Sequence, residues 1–341
     1  MKSVKRICAV LLGLVLLLAG LLKLMDPVGA GLVMEDYYYF LHLDMLAPAA
    51  KLMGVIFAML EALLGAALLA GVWPKFTGLV AALVLAFFTV LTLVLWLSDA
   101  DMDCGCFGEA IHLTQFQSFI KNVVLCLLWF GAFVPFKSLW EVRKVKYVSF
   151  AIAMVSIGAF AVYSLMSVPA LDFTPFKPGT MLMQAQATPE DESALLSICN
   201  EEGDYCDELL ASGSCMLISA YNPDKLSDDD ISDLVEFGDS LAAGGLAKPF
   251  YLAAGEFPEV GGAYSSDRRK LITLNRSNGG ATLVREGVII AKWPLHFLPK
   301  LSDIKDLMAV DAPSAVEKEN TPRRLKLQGF LLYVFAVLLL L

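Results

Sequence analysis

Cys104 and Cys106, in the run Asp103-Cys104-Gly105-Cys106-Phe107-Gly108, are the side chains best spaced to do chemistry together. Two thiols one residue apart can close on each other or exchange separately with another disulfide. Gly105 lowers the steric cost of bringing them together. Three readings stand for the pair: a redox dithiol, a structural disulfide, or a metal-binding or inert pair. A two-cysteine zinc site needs further ligands, and none lies at a recognisable spacing. Asp99, Asp101, Asp103 and Glu109 surround the pair, so the local charge should disfavour a thiolate. Exchange still depends on the disulfide attacked and on the leaving thiol.

Other candidate residues are scattered. Cys199, Cys206 and Cys215 fall in the second half, where Cys199–Cys206 is the preferred pair because the two flank a short polar segment. Exchange of one of these with Cys104 or Cys106 is the alternative. Cys8 and Cys126 sit in apolar runs and read as packing residues. His42 and His112 are isolated and read as surface or satisfied polar groups. Glu61 stands alone in an apolar run, so it should face a helix bundle or be protonated. No glycine-rich phosphate loop, HExxH pair or Ser-His-Asp ordering is present, so hydrolase and nucleotide-dependent functions gain no support.

The elements that position the cysteines are apolar. Runs at about 7–24, 51–70, 77–97, 119–134 and 147–168 approach the roughly 20 residues a membrane-crossing helix needs. Buried core helices of a soluble protein are a poor account of five such runs joined by short loops. The chain has 341 residues, 57% hydrophobic, with mean hydropathy +0.64 and net charge -9. Charges become dense after about Leu171, which divides the chain into a membrane bundle (1–168) and a polar domain (169–322). A third segment, 323–341, reads as a sixth crossing, although its apolar part is short and the chain stops while still apolar. The acidity and the missing Lys/Arg stripe exclude nucleic acid as a partner.

Lys2, Lys5 and Arg6 precede the first run, without a clear cleavage site after it, so it reads as an uncleaved helix. Pro27 marks its exit, and the stretch to Pro48, with Tyr37-Tyr38-Tyr39-Phe40, reads as an outer loop carrying an interfacial aromatic belt. A quinone or haem platform is the competing account of those tyrosines. Basic residues (Lys75, Lys137, Arg143, Lys144, Lys146) and acidic ones (Asp26, Glu35, Asp36, Asp44) alternate between loops. That pattern puts the cysteine loop and the polar domain on the outer side.

In the polar half, Thr188-Pro189-Glu190-Asp191-Glu192 reads as a solvated connection or a helix start. Cys215–Tyr221 reads as a buried strand, followed by a helix over Asp228–Ala243 with Ser227 and Asp230 at capping-box spacing. Phe250–Ala253 is a further strand. Thr282–Arg285 and Val288–Trp293 flank Glu286-Gly287 as a tight hairpin, and a last helix starts near Ser302. These elements form a small α/β sandwich.

On Lys23-Leu24-Met25-Asp26-Pro27 and Cys104-Gly105-Cys106-Phe107-Gly108, residues 5–165 resemble the DoxX-like and methylamine-utilisation MauE-like membrane proteins. The layout is similar to Bacteroidetes proteins that join such a bundle to an outer thioredoxin-like domain. The resemblance implies a multi-pass helical bundle with an extracytoplasmic α/β thioredoxin-like domain, in a bacterial inner membrane. It implies that Cys104 and Cys106 are a thiol/disulfide pair supporting maturation of an exported or envelope protein, with the lipid bilayer as the other partner. A membrane quinone is a conceivable electron acceptor that no residue set identifies. The alternative is noncatalytic assembly or binding. Asn222-Pro223-Asp224-Lys225 stands where an active thioredoxin carries Cys-x-x-Cys, and Ser277–Thr282 has no proline where that family has a cis-proline. Both departures favour docking over dithiol chemistry in that domain.

Overall fold

The computed structural model describes residues 2–99, 102, 104–136, 139–182, 195–257 and 260–340. Asp101, Asp103, Lys137 and the 188–192 connection lie outside them. The chain divides into two compact units: Met1–Leu165 with Gln328–Leu341, and Met166–Leu327.

The first unit is helical. Its elements are α1 (Lys2–Met25), α2 (Pro27–Phe40), α3 (Ala50–Ala70), α4 (Pro74–Leu97), the short strand β1 (Cys106–Glu109), α5 (Gln115–Phe133) and α6 (Lys144–Met166). Five helical stretches are long and apolar enough to cross a membrane: Ser3–Met25, Asp44–Ala70, Pro74–Leu97, Gln115–Phe133 and Lys144–Met166. The stretch expected to be an outer loop is α2. Pro27 opens this helix rather than closing the previous one. Its missing N–H costs nothing in a first turn, and Asp26 caps the turn by accepting from the Gly29 N–H at 2.9 Å.

Small residues bring α1 and α3 into close contact. A Cβ on Gly20 would lie 2.7 Å from the Ala58 carbonyl oxygen, and one on Gly65 2.7 Å from that of Gly13. Such backbone approach is how apolar helices associate where lipid removes the hydrophobic drive. Polar bonds add to it. Lys5 donates to the Pro135 carbonyl at 2.7 Å, and Arg6 to the last-turn carbonyls of α3, Leu68 and Leu69. Asn122 on α5 donates to Phe88 O and Thr92 Oγ1 on α4, both at 3.1 Å.

In the second unit, β2 (Ser214–Ala220), β3 (Lys248–Ala253), β4 (Tyr264–Ser265), β5 (Gly280–Arg285) and β6 (Val288–Trp293) form one mixed sheet of order β4-β3-β2-β5-β6. β3 runs parallel to the central β2, and β5 antiparallel to it. The helices are α7 (Asp228–Ala243), α8 (Arg268–Leu274) and α9 (Leu301–Met308). Alternation along β2 sends Met216 and Ile218 into one apolar cluster, with Leu234 of α7, and Cys215 and Leu217 into the other. Leu217 and Leu234 are fully buried. Ser227 and Asp230 form the expected capping box. The β5–β6 hairpin turns on Glu286 (φ 51°) and Gly287 (φ 78°), the left-handed pair a tight two-residue turn requires.

α10 (Ala312–Leu340) begins in the α/β unit, and its last residues belong to the helical one. The expected sixth crossing is this helix's distal part. It is not among the five candidate spanning helices, and it packs on α6, with Phe160 stacked on Phe330 at 4.6 Å.

One buried ion pair anchors the α/β unit: Lys292 Nζ of β6 lies 2.6 Å from Asp172. Burial pushes the Asp172 carboxyl up, but Lys292 and two hydrogen bonds from Thr174 outweigh this and hold it below the ordinary carboxylate value. The pair's contribution is therefore complete above pH 3.8, the ordinary value, and lost as pH falls through the lower folded value. Asp172→Asn removes the carboxylate that faces a buried ammonium and should cost about 3–5 kcal/mol at neutral pH. Faster hydrogen exchange at β5 and β6 amides reads this, and unchanged exchange would contradict it. In the helical unit, Gly65→Leu should part α1 from α3 and lower the melting temperature in detergent, whereas the exposed Leu60→Ala should change it little.

Candidate functional site

The Cys104–Cys106 loop is held by α2 and α5. Tyr37 of α2 is buried and donates its hydroxyl to the Cys104 carbonyl at 2.6 Å. Gln115, in the first turn of α5, donates to the Met102 carbonyl. Thr114 caps that helix through a capping box with Gln117, which fixes where α5 begins. Gly105 has φ +59°, and a Cβ there would run into Val33 of α2. The turn closes with the Gly108 N–H on the Gly105 carbonyl at 3.3 Å. The aromatic run thus includes a residue that fastens the cysteine loop, a role the interfacial-belt reading does not contain.

The two sulfurs lie 2.8 Å apart, and both cysteines are free thiols. Cys104 is buried and Cys106 half-buried. The contact with the Cys104 thiol pulls the Cys106 pKa down. Burial opposes this, and the charges of Lys121 on α5 and Lys23 on α1 add to the lowering, leaving Cys106 at about 5. Cys104 moves far upward, because its proton is shared with Cys106, it is buried and it neighbours the Cys106 charge; Ser118 and Lys121 oppose the shift more weakly. The arrangement therefore favours the thiolate at Cys106 and the proton at Cys104.

This corrects the electrostatic expectation from sequence. The acidic residues near the cysteines suggest a disfavoured thiolate, but the contact with Cys104, helped by two lysines from other helices, favours one at Cys106. Lys23 and Lys121 are distant in sequence from the loop, and only their position on α1 and α5 brings them in. Glu61 is not alone either: its carboxylate lies 2.6 Å from Lys23 Nζ, both side chains nearly buried.

Beside the sulfurs a cavity of about 770 Å³ runs between the helices. Its walls are largely apolar, with Leu16, Val33, Phe57 and Leu91 among them. Lys23, Glu61, Lys121, Asn122 and both cysteines also line it.

The remaining candidates do not join this site. Neither His42 nor His112 lines the cavity. Cys199, Cys206 and Cys215 belong to the other unit and are free thiols. Cys199 pairs with Tyr205 in an isolated bridge, while its thiol and that of Cys206 donate to nearby carbonyls; the disulfide expected between them is not formed. Among the described residues, no group of three or more His, Cys, Asp or Glu could hold a metal ion.

Residues 1–136 match the family model described as methylamine utilisation protein MauE, a stretch that contains both cysteines and every residue lining the cavity. Neither curated proteins nor solved structures give a match to the chain. Together with the five apolar helices, the family match makes this a multi-pass membrane protein.

Alkylation tests the electrostatics. The rate of iodoacetamide reaction at Cys106, read by mass spectrometry, should rise with a midpoint of about pH 5. Lys121→Met should move that midpoint upward, and Cys104→Ala should do the same by removing the hydrogen-bond partner. A midpoint in the ordinary cysteine range that ignores both substitutions would refute the assignment.

Proposed function

We propose that this chain is a membrane-anchored accessory protein that assists an exported protein partner. The match of residues 1–136 to methylamine utilisation protein MauE carries the reading. The α/β unit supports it from another side. A central strand with a parallel neighbour across one helix, and an antiparallel hairpin on its other side, is similar to the thioredoxin arrangement. After β2, however, the chain reads Asn222-Pro223-Asp224-Lys225, without a thiol. A sheet of this kind without its dithiol is suited to recognition. Alternating acidic and basic loops support an outer position for both the cysteine loop and this unit, in the inner membrane of a bacterium.

A second reading, thiol–disulfide exchange at Cys104 and Cys106, is favoured by one observation: a thiol pair in contact, with Cys106 stabilised as the thiolate. A stabilised thiolate favours the reduced form and so makes the corresponding disulfide an oxidant. In the forward step a partner thiolate attacks Cys106 of the disulfide, releasing Cys104. The partner's second thiolate then attacks the mixed disulfide and releases Cys106. The partner gains a disulfide, and the pair gains two electrons.

The two readings separate in one experiment. Crosslinking and recovery from intact cells should return the same exported partner from the wild type and from the Cys104→Ser/Cys106→Ser variant, because binding needs no thiol. Loss of the partner from the double variant would overturn the accessory reading and leave exchange as the basis of contact. If the partner is retained but its disulfides form in full without the cysteines, the exchange reading fails.

A further inference from the structure

We propose that the cavity beside Cys104 and Cys106 is a binding site for a membrane quinone that reoxidises the pair. The inference rests on the exchange reading above. An oxidising dithiol that has served one partner is left reduced, and it needs an acceptor of two electrons before it can serve again.

The cavity's place and lining select the class of acceptor. Its walls come largely from helices that span the membrane, so it is suited to a molecule supplied by the bilayer. Its volume, about 770 Å³, is within the range that holds a ring with an attached chain. Most of the lining is apolar, which suits a hydrocarbon tail and penalises a peptide, whose backbone groups would go unpaired there. No histidine lines it, so a histidine-ligated haem has no axial ligand. The polar lining consists of Lys23, Glu61, Lys121 and Asn122, together with the two sulfurs. Ammonium groups at that position can hydrogen-bond a ring carbonyl and stabilise the negative charge that develops on its oxygen as electrons arrive.

The step balances without another reagent. The Cys106 thiolate and the Cys104 thiol form one S–S bond and release two electrons and the Cys104 proton. The quinone takes both electrons, that proton and one proton from solvent, and leaves as the quinol. Net, a dithiol and a quinone become a disulfide and a quinol.

The test uses the full chain in lipid nanodiscs, reduced, freed of reductant and kept without oxygen. Decylubiquinone should oxidise the pair, read by alkylation, with one quinol formed per disulfide. Leu91→Trp, which places a larger side chain in the cavity wall, should slow quinol formation at least tenfold while glutathione disulfide still oxidises the pair at the wild-type rate. Independently of that variant's folding, a photoreactive azidoquinone should label cavity-lining peptides of α3 and α4 in the wild type, with decylubiquinone competing. Oxidation by glutathione disulfide but not by decylubiquinone would overturn the quinone and spare the exchange reading. A pair oxidised by neither would overturn both. Quinol formation without competed labelling of the lining would place the reaction elsewhere and overturn this site.

Discussion

A charged pair inside an apolar bundle sets the terms for the helical unit. Lys23 of α1 and Glu61 of α3 meet at 2.6 Å, nearly out of reach of water. Either charge alone would be expensive in that setting, so each helix needs the other at a fixed distance and rotation. The glycines supply that distance. Gly13 and Gly20 on α1, and Gly65 on α3, let the two backbones touch where any side chain would wedge them apart. Packing thus protects the ion pair, and the ion pair in turn fixes the register of the packing.

The chemistry of the cysteine loop depends on that register. Lys23 serves Glu61 and also contributes to the field at Cys106, so one ammonium joins the structural and the electrostatic roles. Lys121 approaches from α5, whose start is set by the Thr114 cap. Tyr37 and Gln115 fasten the loop from two sides. With Gly105 in a left-handed conformation against Val33, the loop has little freedom to rearrange. The helices thus add to the thiolate's stabilisation by Cys104, through Lys121 of α5 and Lys23 of α1.

Local signals were legible in the sequence where they were complete within a few residues. Glu286-Gly287 between two β-rich runs specified the hairpin, and Ser227 with Asp230 specified the start of α7. The apolar runs located the five spanning helices to within a few residues at most ends. Legibility ended where meaning came from a neighbour distant in the chain. Asp26-Pro27 carries both an exit signal and a start signal, and in the fold the second prevails, with Asp26 capping α2. The acidic residues around the cysteines were visible, while the lysines that lower the Cys106 pKa were 15 or more positions away on other elements. Tyr37 read as one of four interfacial aromatics, because nothing local marks its hydroxyl as the partner of the Cys104 carbonyl.

The edges of the α/β sheet limit how another protein can be recognised. An exposed strand edge invites an extended peptide to join as an extra strand. Here β6 is already covered: the segment ending at Leu182 runs along it, with Gly179 N–H on Ile289 O and Leu182 N–H on Gly287 O, both at 2.7 Å. The opposite edge is β4, only two residues long, and Ser265 exchanges both backbone bonds with Cys199 at 2.8 Å. At both of these places the edge backbone groups are already engaged. A visiting chain would find side chains and loop backbone to read, which favours selection by surface shape and charge over strand addition.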